Sequence, residues 1–183
     1  MHHRTADELT AALDEIRKSP AAAGPVELIV RRPAEDEREV LDECTLDLTE
    51  GLVGDAWLAR GSRSRPDGSA NPDAQLTLMN ARAADAITGG RDRWPLAGDQ
   101  LFVDLDLSID NLPAGTQLAV GDAVVEVTPE PHTGCAKFSA RFGTEALTFV
   151  NKSPGRELRL RGVNARVVTP GAVRAGDTIS KLA

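Results

Sequence analysis

The chain has 183 residues, 41% hydrophobic and 27% charged, with a net charge of −7, the profile of a soluble globular chain long enough to bury a core without disulfide or metal staples. No apolar run approaches the ~20 residues of a membrane-spanning helix, and the polar, acidic start from Met1 to Glu8 lacks the apolar stretch of an export signal, so a cytoplasmic protein with no membrane partner is expected. Aromatic residues make up 3% and tyrosine is absent, which argues against a nucleic-acid partner, since bases are held on stacking platforms and basic grooves.

In chain order, residues 5–18 place Leu9, Ala12, Leu13 and Ile16 at helical spacing behind Thr5, and Glu8 completes a capping-box pattern. Pro20 and Gly24-Pro25 end that helix, so residues 1–24 read as a helix and linker ahead of a domain over 25–183. A first strand follows at 26–33. Residues 38–55 then alternate as β structure, with Val40, Asp42, Cys44, Leu46 and Leu48 against Leu41, Glu43, Thr45 and Asp47, and the alternation leaves open which set is core. An apolar residue close before Gly-Asp recurs at Val53-Gly54-Asp55, Leu96-Ala97-Gly98-Asp99, Val120-Gly121-Asp122 and Val173-Arg174-Ala175-Gly176-Asp177. Each reads as a turn, the last three feeding a strand, and Asp99 and Asp122 are assigned to those turns. With 74–80 and 162–169 the count reaches about eight short strands, so the expected fold class is mainly β, a closed or nearly closed barrel with a few short helices. Three insertions interrupt it: a Gly/Ser/Arg/Pro-rich loop at 56–73, a candidate lid; a helix at 80–88 capped by Asn80; and a helical stretch at 134–159.

The charge is unevenly spread. Residues 131–174 hold Lys137, Arg141, Lys152, Arg156, Arg159, Arg161, Arg166 and Arg174 against only Glu145 and Glu157, a field that suits an anionic ligand, or that pairs with acidic strands elsewhere. At its start stands the run Pro131-His132-Thr133-Gly134-Cys135-Ala136-Lys137-Phe138. Cys135, Phe138 and Phe142 share one face of a helix that begins near Gly134 with Thr133 as its natural cap. A first-turn position, Lys137, Arg141 and the nearby His132 would all favour a thiolate; equally, Cys135 would be the first residue of a core-facing stripe. Cys44, in a strand with no such neighbours, reads as a buried small hydrophobe. His2 and His3 read as an inert terminus, and no second ligand pair joins His132 and Cys135 at zinc spacing. Arg156, Arg159, Arg161 and Arg166 are candidate anion contacts or surface ion-pair partners. Asn164 faces either the barrel mouth or solvent, and Asp55 and Trp57 either line a ligand mouth or pack.

Several runs, in order, resemble the MOSC domain family, named for the C-terminal part of molybdenum cofactor sulfurases: residues 50–57, 74–80, 96–112, 115–128, the Pro131–Phe138 run and 159–179. The match is nearest to stand-alone bacterial members. The resemblance implies a MOSC-type β-barrel and a functional cysteine, here Cys135, that carries sulfur as a persulfide or ligates molybdenum in the molybdenum cofactor (molybdopterin). For some members it implies an anionic pterin or phosphate-bearing ligand, and at family level an association with pyridoxal phosphate. The leading expectation is a sulfurtransferase-like protein in which Cys135 is the nucleophile, His132 assists proton transfer, and Lys137, Arg141, Arg156, Arg159, Arg161, Asn164, Arg166, Asp55 and Trp57 surround a small anionic substrate or cofactor, with a sulfur donor protein as partner. The alternatives are a non-catalytic module binding an anionic ligand, and a molybdenum-independent enzyme acting on a thiol or carbon–sulfur substrate.

Overall fold

Alternation decides the sidedness of the barrel strands. Strand β1 (Ala23–Arg31) turns Val26 and Ile29 inward and Val30 outward, a register bulge between Val26 and Leu28 shifting its phase. The computed structural model describes residues 3–183; the reading of His2 falls outside them. Among these residues β1 is followed by β2 (Glu39–Leu41), β3 (Glu43–Asp47), β4 (Gly51–Leu52), β5 (Leu76–Asn80), β6 (Leu101–Val103), β7 (Gln117–Val120), β8 (Ala123–Val127), β9 (Val163–Thr169), β10 (Gly171–Arg174) and β11 (Thr178–Lys181). The hydrogen-bonded order β11-β7-β8-β9-β5-β6-β1 closes on itself through the β1–β11 pairing, giving a seven-stranded barrel, and β2 extends the sheet along the far end of β1. All barrel pairs are antiparallel except β5–β6. A separate sheet, β10-β3-β4, covers the barrel and buries Cys44 and Leu46 while Glu43 and Thr45 stay exposed, which settles the sidedness that the sequence left open.

Two apolar clusters result. Inside the barrel lie Leu76, Leu78, Leu101, Val103, Val125 and their neighbours. The intervening residues Met79 and Phe102 point outward into a second cluster beneath the helices, each large side chain contributing roughly 1.5–3 kcal/mol by leaving water. The helices over this outer cluster begin with α1 (Ala6–Ala11), which has the expected Thr5–Glu8 capping box, and α2 (Leu13–Ile16), so the single helix expected over 5–18 is two short pieces. The expected lid region holds α3 (Trp57–Arg60) and a 3-10 turn at Pro72–Ala74. Helix α4 (Ala81–Thr88) is capped as expected by Asn80, whose Oδ1 accepts from the Ala83 amide at 2.9 Å. In the third insertion α5 (Ala136–Phe142) and α6 (Thr144–Asn151) are followed by turns through residue 161. His3 packs against Gly143 between these two helices. No helix among the described residues is long and apolar enough to cross a membrane.

Candidate functional site: a cationic cleft beside Cys135

The residues before β6 anchor the site. Four consecutive carbonyls each accept a hydrogen bond from a different guanidinium: Pro95 from Arg38 (3.2 Å), Leu96 from Arg141 (2.8 Å), Ala97 from Arg161 (3.0 Å) and Gly98 from Arg32 (2.9 Å). A guanidinium offers five donors, so each of these carbonyls can be satisfied while the arginine keeps others for a second partner. Two of these arginines carry buried carboxylate partners. Arg32 forks onto Asp55 through Nε (2.9 Å) and Nη2 (2.8 Å), while Arg161, 8% exposed, donates from Nη1 to Asp99 Oδ2 at 2.6 Å and stacks over Phe138 at 5.0 Å. Asp99 is therefore no mere turn residue: its side chain is wholly buried. Burial pushes its carboxyl above the ordinary range, against the opposing pull of Arg161.

Beside this cluster opens a cleft of about 290 Å³. Its walls include the 128–133 segment, the end of α6 and the 156–164 segment, and so bring together five of the expected residues: His132, Arg156, Arg159, Arg161 and Asn164. Arg156 projects into water at 71% exposure with a 3.4 Å contact to Glu157. Arg159, held in a left-handed conformation (φ 50°), donates to the Leu112 carbonyl at 2.6 Å. Asn164 is buried and gives its Nδ2 proton to the Glu130 carbonyl at 3.1 Å, tying two cleft walls together. Burial first, then the guanidiniums of Arg161 and Arg32, hold the His132 imidazole well below its ordinary value of 6.5.

Cys135 stands two residues past Thr133, and its side chain is exposed rather than core-facing. Helix α5 starts one residue later, so Cys135 occupies the cap position that the sequence reading gave to Thr133, while Phe138 and Phe142 pack as expected. The backbone before it is pinned: Asn151 at the end of α6 accepts from the Gly134 amide (2.8 Å) and donates to the Gly134 carbonyl (3.1 Å). A Cβ on Gly134 would come within 2.7 Å of Leu147 Cδ1 and 3.0 Å of Val150 Cγ2, so a side chain there would have to displace the Leu147 tip.

The other expected residues lie elsewhere. Lys137 and Arg141 turn to the β1–β2 loop, where Lys137 meets Glu35 (2.5 Å) and Arg141 meets Asp36 (2.7 Å). Their charge is thus shared with carboxylates. Arg166, on β9, pairs with Glu126 at 2.6 Å on the barrel exterior. Asp55 is consumed by Arg32, and Trp57 is buried at the start of α3. Among the described residues no group of three or more His, Cys, Asp or Glu side chains is arranged to hold a metal ion. Sequence reasoning missed Arg32, Asp99 and Asn151. The Arg31-Arg32 doublet ending an apolar strand and the Gly98-Asp99 pair just before another apolar strand were the available signals for the first two; nothing marked Asn151.

Solved structures share this architecture. YuaD protein from Bacillus subtilis superposes with a TM-score of 0.59 at 17% identity, covering 86% of this chain and 94% of that one. YiiM from Escherichia coli does so with a TM-score of 0.57 at 19% identity, covering 88% and 70%. No curated protein sequence matches. The barrel strands from β5 to β9, the cleft and Cys135 all fall within residues 67–180, the span matched by the family model described as the MOSC domain, and the chain belongs to that family.

Proposed function

We propose that the protein carries sulfur on Cys135 and passes it to a small anionic substrate or to the molybdenum cofactor. The observation that carries this reading is the pinning of an exposed cysteine: Asn151, itself a cleft residue, holds both backbone groups of Gly134, directly before Cys135 and directly after Thr133, the last residue of that cleft wall. In the loading step the Cys135 thiolate attacks the outer sulfur of a donor persulfide. A new S–S bond forms at Cys135, the donor's S–S bond breaks, and the donor leaves as its own thiolate, so no external oxidant is needed. His132 handles the proton at the acceptor, and Arg156 and Arg159 hold its anionic group.

MOSC domains are associated with the molybdenum cofactor. The donor set suits such a group: Arg156 and Arg159 offer guanidinium donors to a phosphate, and the accessible Cys135 sulfur is a ligand that needs no second protein thiol. When bound, that cofactor would supply oxidation–reduction chemistry that the side chains lack.

Intact-mass and peptide analysis of protein freshly isolated from cells, with parallel molybdenum analysis, tests the reading. A gain of one sulfur atom on the Cys135 peptide, removed by a reductant and absent in Cys135→Ser, is expected. Unmodified Cys135 after incubation with a persulfide donor would overturn the carrier role. A second reading, a module that binds an anion without chemistry, is favoured by one observation: Cys135 is not among the cleft walls. It predicts that Cys135→Ser retains full anion affinity and that no sulfur is ever found on the thiol.

A further inference from the structure

We propose that Asp99 is a positioning residue that holds His132 with its proton on Nδ1, leaving Nε2 as an acceptor facing the cleft. This deepens the role given to His132 above and rests on it, but the tautomer is a property of the protein alone.

The geometry is one of two orphans facing each other. Asp99 Oδ1 and His132 Nδ1 are both buried and without a hydrogen-bond partner, and they stand 3.5 Å apart. Leaving a buried donor or acceptor unsatisfied is unfavourable, and one proton between these two atoms satisfies both with a small shift. That proton sits on the ring. Arg161, always charged and 2.6 Å from the other carboxylate oxygen, favours the ionised acid against the burial that pushes the Asp99 carboxyl up. Nδ1 is buried against Asp99 while the His132 side chain keeps 15% exposure and lines the cleft, so Nε2 is the ring nitrogen left for the cleft. Gly162 makes the approach possible: at φ 105°, a Cβ there would lie 2.3 Å from the Leu78 carbonyl and 3.2 Å from His132 Nδ1.

Burial first, and then the guanidiniums around it, keep a second proton off the ring against the pull of the Asp99 carboxylate. Arg161 and Arg32 press on it from the buried side, the latter neutralised in part by Asp55; Arg156 and Arg159 stand in the cleft walls, where Glu130 is the one acid. A neutral ring with its acceptor nitrogen outward does not hold an anion. It takes a hydrogen bond, or a proton, from a ligand's N–H, O–H or S–H group. The cleft therefore suits an anion that also carries a proton donor, the anionic group at the arginines and the donor at His132.

Long-range ¹H–¹⁵N spectra of ¹⁵N-histidine-labelled full-length protein test this, with His132 assigned through His132→Gln. The wild type is expected to show a neutral ring protonated at Nδ1, with no titration near pH 6.5. Asp99→Asn, which presents an amide donor instead, is expected to reverse the tautomer. A wild-type ring protonated on Nε2, or one that titrates near pH 6.5, overturns the proposal even if the variant fails to fold. A folded Asp99→Asn protein with an unchanged tautomer also overturns it. Because no sulfur donor is present, a failure here leaves the Cys135 carrier role standing, and loss of the persulfide leaves the Nδ1 tautomer standing.

Discussion

The two cysteines sit in opposite environments, one behind the acidic pair Asp42-Glu43 and the other behind Thr133-Gly134. Cys44 is 6% exposed on β3, inside the barrel cluster, where burial and the neighbouring Glu43 push its thiol up to about 12. Cys135 is exposed at the cap of α5, behind a backbone clamped by Asn151. The difference teaches that a thiol's chemistry follows from access and local solvation rather than from residue type. Burial gives an inert sulfur that serves packing; the cap position gives an accessible one whose backbone is fixed.

The largest expected effect is selectivity. At pH 8 a thiol at about 12 is only ~0.01% ionised, so limited alkylation of the native protein is expected to label Cys135 and spare Cys44 by a factor of roughly a thousand or more. Peptide mapping that finds the first label on Cys44 would reverse the assignment. Next comes stability. Cys44→Ser puts a hydroxyl into the apolar interior and is expected to cost about 1–3 kcal/mol in denaturant unfolding, whereas Cys135→Ser should stay within about 0.5 kcal/mol; equal losses would remove the contrast. A smaller effect is expected from Asn151→Ala, which frees Gly134. Hydrogen exchange at the Gly134 and Cys135 amides should quicken by about tenfold, the equivalent of ~1.4 kcal/mol of local opening, with Cys44 untouched. Unchanged protection at Gly134 would show that the clamp does not hold the segment.

The last effect separates the two regions by pH. Cys44 keeps in the fold a proton that the unfolded thiol releases above about pH 8.5, so stability should fall from there toward pH 12. His132 has the opposite sign. The unfolded imidazole binds a proton below about pH 6.5 that the folded one refuses, so stability should fall as the pH drops below that value. Cys44→Ala is expected to flatten only the alkaline limb and His132→Gln only the acid limb of a stability–pH curve.

Much of the fold was legible because its determinants are local. The capping box at Thr5 and Glu8, the Asn80 cap and the strand alternation around Leu76 and Leu78 are contacts between near neighbours in sequence. The site was legible only in part. The basic run from 131 to 174 located the cleft, yet the same run misled about Lys137, whose carboxylate partner Glu35 lies 102 positions away. Asp99 was read as a turn because Gly-Asp marks turns wherever it occurs. The partners that change its role, Arg161 and His132, arrive from another part of the chain.

By itself the sequence determined that this is a β-rich chain with a candidate thiol, reactive or core-facing, at the start of a basic segment, since periodicity, turn residues and charge are properties of neighbours along the chain. Only the tertiary structure decided which charges are spent. Whether a guanidinium meets a ligand or a carboxylate, and whether an aspartate lies in water or behind a histidine, depends on distances of a few ångströms between residues far apart in sequence. Those distances are set by barrel closure.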